Sequence, residues 1–516
     1  MPEIKKRMVD VNIYNPVGGL DLESDSALIE PTKTPKCKDV VFRSSYISKL
    51  PGDSVFGGTS TPLTGDLLSL ESFPLNGSTE IIAHTTSRMY AYDEATDAFV
   101  SLASSYTANQ GNVVKGDVMF GYYIYCNGKD RVQKYDGTTV TDLTYNAVAK
   151  RILQFGSRCI LFNVTLSSTN YPRRVSWSRV GYPESFPFVS GDGSGFIDLD
   201  EREVGDIITA ELLRGKVYIY GTKGMVEMSL TGVSTNPFLF TAYVTNFYIL
   251  GINNVYVLEE SHIVITRNDI VSFTGTYYMG VLQAQSLLPT GIRLELFNAI
   301  NALYLSRAFV VRDLGNQELL FFFPSGQEAN CNKYYRYNLK TKVWSKGDRG
   351  YMCATTYAKA DYPQIKDMTE PISSYTISYD SLVATTHPAA LLLGDVGGTV
   401  YQDGGSNTYK GVASDGWWDT KDILTDSEGY KRNAACYMRV GIEAKGNSID
   451  LYYSVDGGII YNFLTTITLS STWNRYNYDF EKTAVQMRFQ IRNPREESFD
   501  LKWLGTSYLP LSQSGV

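Results

Sequence analysis

Short runs of alternating apolar and polar residues, separated by glycine-containing turns, dominate the sequence. Val217-Tyr218-Ile219-Tyr220 follows the turn Arg214-Gly215-Lys216, and Met225 to Leu230 follows Gly221 to Gly224 and ends at Thr231-Gly232. Side chains of a strand point alternately to the two faces of a sheet, and glycine permits the backbone of a tight turn. Each such set therefore predicts an antiparallel meander, and the sequence predicts an all-β protein.

One motif recurs between residues 56 and 405: a strand that ends in Tyr-Asp or Tyr-Asn, a polar turn and a second short strand. It occurs at Tyr92-Asp93, at Tyr135-Asp136 and at Tyr337-Asn338, where Trp344 follows as in a kelch hairpin. Hairpins repeating every ~40 to 50 residues are typical of a β-propeller. We expect six or seven irregular blades, with one helix inserted within 290–307. A pair of stacked sandwiches would contain a similar number of strands and remains the alternative.

The two ends of the chain differ from this middle part. Residues 1–55 contain prolines and paired glycines, which predict an extended N-terminal arm, packed either on a neighbour or on its own domain. Residues 406–430 are polar and glycine-bearing and are predicted to form a linker. Residues 431–516 again alternate apolar and polar positions, with about six strands, and predict a C-terminal β-sandwich.

Composition narrows the functional classes. The chain has 516 residues, a formal net charge of −7 and a pI near 5.3, which argues against a surface that grips nucleic acid. Its six cysteines contain no C-x-x-C pair, so neither a zinc site nor a disulfide framework is predicted. Apolar runs such as Leu319 to Phe323 are too short to span a bilayer. We expect no cofactor, no metal and no membrane-spanning segment.

Catalytic motifs are missing as well. The three histidines, His84, His262 and His387, do not stand in H-E-x-x-H, and no G-x-S-x-G is present. A pair of glycosidase carboxylates can lie anywhere in a chain, so the sequence does not exclude one, but nothing supports it. We therefore expect that the protein is not an enzyme.

An acidic segment stands out between residues 192 and 206, where one base, Arg202, accompanies six carboxylates. Three interpretations compete: a solvated loop, the negative lining of a DNA channel, and a calcium site, which is disfavoured because the spacing of an EF-type loop is absent. The candidate channel-lining residues are Asp192, Asp198, Asp200, Glu201, Glu203 and Asp206.

A second motif lies in the predicted C-terminal sandwich. Ser454, Asp456, Gly458 and Tyr461 match the Asp-box pattern S-x-D-x-G-x-x-aromatic. An aspartate in such a turn accepts hydrogen bonds from backbone N–H groups, so the motif predicts a structural lock of a hairpin rather than a functional site.

The order of several motifs resembles a known family. Gly18-Gly19-Leu20-Asp21 and Lys49-Leu50-Pro51-Gly52 resemble the opening of phage tail and hub proteins, although Leu50 stands where that family often has arginine. The block from Tyr171 to Gly232 includes Trp177-Ser178, and its strands begin after Gly205-Asp206 and Arg214-Gly215. It resembles packaged-DNA stabilisation and tail hub or nozzle proteins of short-tailed phages.

The resemblance implies a structural virion protein. Family members form sixfold rings below the portal and the head-to-tail adaptor protein, carry tail fibre, spike or needle proteins, and close the channel over packaged DNA until ejection. For this chain it implies a homo-hexamer in the virion tail, assembled in the bacterial cytoplasm, with transient contact to double-stranded DNA. The alternative, a carbohydrate-binding or carbohydrate-active β-propeller, is supported by the many tyrosines, the Asp box and the pair Trp417-Trp418.

Overall fold

Strands make up nearly all the regular structure of this chain. The computed structural model describes residues 9–510 except 58–61, 103–105, 187–192, 244, 246–247, 279–280, 358–359, 362–384, 387–388 and 425–434. Within these residues the regular elements are strands, one α-helix and two short 3-10 helices. The all-β class predicted from the alternating pattern is confirmed.

Seven four-stranded antiparallel sheets occupy the middle of the described chain, and we number them in chain order. Sheets 1 to 3 consist of Leu67–Leu75, Ser78–Thr85, Met89–Asp93 and Ala98–Ser101; Lys115–Met119, Tyr122–Cys126, Gln133–Tyr135 and Val140–Asp142; and Ala147–Phe155, Arg158–Leu166, Thr169–Trp177 and Gly195–Asp198. Sheets 4 to 6 consist of Ile207–Leu213, Lys216–Gly221, Met225–Val233 and Asn236–Tyr243; Val255–Val257, His262–Ile265, Ile270–Tyr278 and Val281–Ser286; and Phe309–Asp313, Glu318–Phe323, Lys333–Asn338 and Trp344–Gly347. Sheet 7 orders Cys353–Tyr357, Ala390–Gly394, Val400–Asp403 and, from the N-terminal segment, Asp53–Val55.

The first strands of these sheets contact one another in succession. Contacts run from sheet 1 through sheet 7, and the first strand of sheet 7 contacts the first strand of sheet 1. Separate apolar cores fill the spaces between neighbouring sheets, for example between sheets 1 and 2, between sheets 3 and 4, and between sheets 7 and 1. The seven sheets therefore form a closed succession in which each is buried against its two neighbours.

Sheet 4 shows why these residues form these strands. Its first hairpin turns at Arg214 and Gly215, both of which have positive φ, 51° and 75°. A two-residue turn with positive φ at both positions matches the twist of the flanking strands. The predicted end of the meander at Thr231-Gly232 was wrong: the third strand continues to Val233, the ladder shifts register between Leu230 and Val233, and a fourth strand follows.

Two further elements follow their sequence patterns. The helix expected within 290–307 is confirmed as the α-helix Thr290–Ala299, followed by the 3-10 helix Ala302–Arg307, between sheets 5 and 6. A 3-10 turn at Ile252–Asn254 precedes sheet 5.

In the kelch-like hairpin of sheet 6, Tyr337 and Trp344 are cross-strand partners whose ring centroids lie 4.7 Å apart.

Two larger sheets combine both ends of the chain. Sheet 8 orders Asn474–Ala484, Ala435–Gly446, Phe499–Pro510, Ile47–Lys49 and Val40–Phe42, with Val9–Tyr14 also paired to Phe499–Pro510. Sheet 9 orders Cys37–Lys38, Gly416–Asp419, Gln486–Asn493, Ser448–Ser454 and Asn462–Thr468, with Ile423–Leu424 also paired to Gln486–Asn493. Short strand pairs lie at Gly19–Leu20 with Lys33–Thr34, Ala360–Asp361 with Thr385–Thr386, and Thr408–Tyr409 with Val412–Ala413. Part of the segment predicted as a linker, at Gly416–Asp419 and Ile423–Leu424, is thus strand.

The N-terminal segment packs on its own chain. Val40, Val41 and Ile47 are almost fully buried, and Asp53–Val55 is the last strand of sheet 7. Lys49 is also buried, and its Nζ donates to Asn493 Oδ1 at 3.1 Å. Of the two arrangements left open by the sequence, the described part of this segment takes the one in which it joins its own core.

Candidate functional site

The described part of the acidic segment connects the last strand of sheet 3 to the first strand of sheet 4. Asp192 lies outside the described residues, whereas Asp198 ends the last strand of sheet 3. Arg174 of the neighbouring strand binds Asp198 with two hydrogen bonds, Nε to Oδ1 at 2.8 Å and Nη2 to Oδ2 at 2.7 Å. The guanidinium also lies 3.7 Å from the ring centroid of Tyr171. These hydrogen bonds to Arg174 lower the pKa of Asp198.

The remaining carboxylates of this segment are exposed. Glu201 accepts from Lys223 Nζ at 3.0 Å and from Arg173 Nη1 at 2.9 Å, and the hydrogen bond from Lys223 is the main cause of its lowered pKa. Asp200 accepts a hydrogen bond from the backbone N–H of Arg202 at 2.8 Å. Glu203 and Asp206 are also exposed on this connection.

Strand pairing thus changes the charge balance that the sequence suggested. Arg173 and Arg174 reach the segment from within sheet 3, and Lys223 reaches it from the second turn of sheet 4. With Arg202, four cations accompany the five described carboxylates, where the linear sequence showed one. The segment is therefore close to neutral locally, and its negative charge is concentrated on the exposed Asp200, Glu203 and Asp206.

The Asp-box residues form the turn between two strands of sheet 9. Asp456 Oδ1 accepts from the backbone N–H groups of Ile459 at 3.1 Å and Ile460 at 3.0 Å. Ser454 Oγ donates to Asp456 Oδ1 at 2.6 Å and accepts from the N–H of Gly458 at 2.9 Å. Tyr461 donates its hydroxyl to the buried Asp419. The four residues fasten one hairpin, and the Tyr461 hydroxyl connects it to Gly416–Asp419, a strand of the same sheet that lies beyond Gln486–Asn493.

A cavity of about 440 Å³ lies where the first strands of all seven sheets meet. Its volume falls in the range of small-ligand sites, about 300–1,000 Å³. Its charged lining is mixed in sign and consists of Glu71, Lys115, Asp117, Arg151 and Glu211. The sequence did not predict this cluster, because its five residues come from four separate strands, each with an ordinary apolar–polar pattern.

Two of the cavity residues form a buried ion pair. Arg151 donates to Glu211 through Nε at 3.3 Å and through Nη2 at 3.1 Å, and both residues are buried. Burial works against the charged form of Glu211, but the Arg151 guanidinium outweighs it and lowers the pKa of that carboxyl. Burial raises the pKa of Glu71 and of Asp117. The ion pair between Arg151 of sheet 3 and Glu211 of sheet 4 connects the two sheets at the cavity.

A chain of hydrogen bonds connects the cavity to His84. Tyr123 donates to Glu71 Oε2 at 2.7 Å, and its hydroxyl also lies 3.2 Å from His84 Nε2. The other ring nitrogen of His84 lies 2.9 Å from the hydroxyl of Tyr106. Burial lowers the pKa of His84 to about 3, so the imidazole is neutral at pH 7. This arrangement gives hydrogen-bond partners to the buried polar groups of His84, Tyr123 and Glu71.

The tryptophan pair that supported a sugar-binding role is divided between core and surface. Trp418 is fully buried between sheets 8 and 9, so it has no exposed ring face, and only Trp417 is partly accessible. His262 is buried and bonds to Tyr220 and to the carbonyl of Leu212, while His387 lies outside the described residues.

Two other kinds of site are missing from the described residues. No group of three or more His, Cys, Asp or Glu within them could hold a metal ion. No helix in the same part of the chain is long and apolar enough to cross a membrane.

No protein-family model and no curated protein matches the sequence.

Proposed function

We propose that the seven sheets are the blades of a seven-bladed β-propeller. Three observations support this arrangement: the successive contacts between first strands, the contact between sheets 7 and 1, and one cavity lined by all seven first strands. Asp53–Val55 completes sheet 7 from the N-terminal side, so the two ends of the propeller meet in one sheet. Closure of this kind leaves no unpaired face between the first and last blades.

We propose further that the protein is a structural virion protein, a ring-forming hub or nozzle at the end of a short phage tail. In this role it closes the DNA channel below the portal and the adaptor, retains packaged DNA and conducts it during ejection. The order of sequence motifs that resembles the tail hub family supports this role. A large β-scaffold with an Arg–Glu ion pair in the cavity where its first strands meet also fits a structural role better than catalysis.

The main structural support for assembly into a ring is an exposed apolar surface on two neighbouring hairpins. Leu239 in sheet 4 and Tyr277 and Tyr278 in sheet 5 are each more than half exposed. Tyr243 contacts Tyr277 at 5.2 Å between ring centroids, so the hairpins lie side by side. Exposed apolar side chains on neighbouring hairpins are typical of a protein–protein interface. We name this surface, formed by Leu239, Tyr243, Tyr277 and Tyr278, the hairpin surface, and we assign it to contacts between subunits.

Electron microscopy of the purified chain, together with mass photometry, tests the ring. We expect sixfold rings for the parental chain and monomers for a Leu239→Arg, Tyr278→Arg double variant. The control is a Val412→Arg, Leu303→Arg double variant, which introduces the same two charges at exposed apolar residues outside sheets 4 and 5. A parental chain that stays monomeric at all concentrations and in phage particles, or rings that persist in the double variant, would contradict the proposal.

A further inference from the structure

The outer face of sheet 8 carries a tryptophan that lies flat against the backbone. Gly441 and Gly505 are cross-strand partners, and the indole of Trp503 covers both. A Cβ placed on Gly441 would lie 2.9 Å from two ring carbons of Trp503, and one on Gly505 would lie 2.3 Å from a third. Only glycine at both positions allows the ring to lie in this orientation.

Polar and aromatic groups surround this indole. Tyr14, 60% exposed, has its ring centroid 6.1 Å from that of Trp503, and the Arg475 guanidinium lies 5.2 Å from the Trp503 ring. The amide oxygens of Asn12 and Asn477 lie beside the two glycines that the ring covers. The indole N–H is buried without a hydrogen-bond partner among the described residues. Such an unpaired donor costs stability, so the orientation of the ring is not explained by its own hydrogen bonding.

A second aromatic ring continues the same face. Lys445 and Lys502 place their ammonium groups 5.2 Å and 5.7 Å from the ring centroid of Trp473, and Tyr46 meets this ring edge-on. Glu443 connects the two tryptophans, since it accepts from Arg475 at 3.1 Å and forms an ion pair with Lys502 at 3.3 Å. The face thus presents two aromatic rings joined by alternating cations and a carboxylate.

We propose that this face, the Trp503–Trp473 platform, binds an oligosaccharide chain. The C–H face of a pyranose is apolar and packs on a flat aromatic ring, while its hydroxyls both donate and accept hydrogen bonds. Asn12, Asn477 and Glu443 offer acceptors, and Arg475 and Lys502 offer donors, beside the rings. Two rings linked through Arg475, Glu443 and Lys502 offer contacts to more than one sugar unit of a chain.

The charge pattern favours a glycan over a nucleic acid. A phosphate chain requires a continuous run of cations, whereas Glu443 and Asp500 stand among Arg475, Lys445 and Lys502 on this face. Mixed donors and acceptors suit the hydroxyls of sugars. The local excess of one positive charge, in a chain of net −7, favours glycans that also carry carboxylates. The proposal does not depend on the ring or on the virion role.

Binding of the full-length chain to defined glycans tests the proposal. The probes are an array of bacterial surface polysaccharides, a neutral hexasaccharide, cellohexaose, and an acidic one, hexagalacturonate. We expect retention on the array and quenching of tryptophan fluorescence on titration, with the acidic hexamer bound more tightly than the neutral one. Trp503→Ala should weaken binding at least about tenfold, as expected for removal of a central contact residue.

Two further variants separate the site from the fold. Gly441→Ala keeps Trp503 but displaces its ring, so it should also weaken binding while the melting temperature stays close to that of the parent. Trp417→Ala removes a partly exposed tryptophan from sheet 9 and should leave binding unchanged. The proposal is wrong if no probe binds, or if Trp503→Ala and Gly441→Ala bind as the parent does. It is also wrong if Trp503→Ala only converts an oligomer into monomers, because the face is then a subunit contact.

Discussion

At the residue scale, two arginine–aspartate pairs share one geometry in opposite surroundings. Arg488 and Asp422 form two hydrogen bonds, at 2.9 Å and 2.7 Å, with side chains only 2% and 5% exposed. Arg439 and Asp479 form the same two bonds, at 2.7 Å and 3.0 Å, with side chains 49% and 42% exposed. The contribution of each pair to the free energy of unfolding should therefore depend on its burial rather than on its geometry.

We expect Asp422→Ala to lower the free energy of unfolding by about 3–5 kcal/mol, because it leaves the buried Arg488 guanidinium without its carboxylate partner. Asp479→Ala should produce no measurable change, since water and salt screen an exposed pair. Urea denaturation of both variants measures the difference. Equal effects of the two substitutions would contradict this account.

Asp419 provides a pH-dependent prediction. Burial raises the pKa of its carboxyl to about 6, although hydrogen bonds from Tyr461 and Gln490 oppose the rise. The folded state therefore holds a proton that the unfolded state releases from about pH 4 upward. The contribution of Asp419 to stability is consequently full below about pH 4 and is lost as the pH rises to about 6.

Relative to Asp419→Asn, the parental chain should lose about 2 to 3 kcal/mol of stability between pH 4 and pH 7, from a shift of about two pKa units. Urea denaturation at pH 4, 5, 6 and 7 measures this difference. Asparagine is neutral throughout and provides the reference. Parallel stability curves for the two proteins would show that Asp419 titrates normally.

At the element scale, the N-terminal segment decides whether several sheets are complete. It supplies strands to sheets 7, 8 and 9, and its Tyr-bonded carboxylates are buried: Asp39 accepts from Tyr334 at 2.9 Å, and Asp53 accepts from Tyr351. An arm that only reached a neighbour would contribute little to its own core. This one includes buried residues of two cores.

We expect Ile47→Ala to lower the free energy of unfolding by about 2–5 kcal/mol, because its side chain is fully buried in the core of sheet 8. Leu28→Ala, at a leucine of the same segment that is 77% exposed, is the control and should be neutral. Calorimetry of both variants checks this. Deletion of residues 1–52 should accordingly prevent folding rather than weaken assembly alone.

At the scale of the whole molecule, the net charge should affect how quickly DNA passes through the proposed channel. A channel that releases DNA quickly should avoid tight phosphate contacts, and the chain carries a net charge of −7. Asp198 and Glu201 are engaged by arginine and lysine, so they are poor sites for testing repulsion. The exposed Asp200 and Glu203 are better positions at which to test repulsion of DNA.

Under the proposed role, Asp200→Lys with Glu203→Lys should slow DNA ejection from assembled particles, most clearly at low salt, where charges are least screened. Ejection followed by release of DNA-bound dye measures the rate. Glu94→Lys with Glu260→Lys, at two other turns of the seven-sheet region, gives the same charge change as a control. Parental ejection rates in normally assembled particles would show that this connection does not face the DNA.

The sequence by itself determined the local structure. Alternation of apolar and polar residues, with turns such as Arg214-Gly215, produced the strands of sheet 4, and the pattern at 290–299 produced the helix. Alternation and turn chemistry act over a few residues, so they can be read without knowledge of the fold. For the same reason the Asp-box residues could be recognised as a turn that binds its own backbone.

Only the tertiary structure decided which distant residues meet. Strand pairing brought Arg173, Arg174 and Lys223 to the acidic segment, and it carried the N-terminal segment into sheets made largely from the C-terminal part. It also set Gly441 opposite Gly505 beneath Trp503, and it buried Trp418 beside the partly exposed Trp417. Ion pairs, aromatic contacts and burial depend on distance in space, and a linear pattern does not contain that distance.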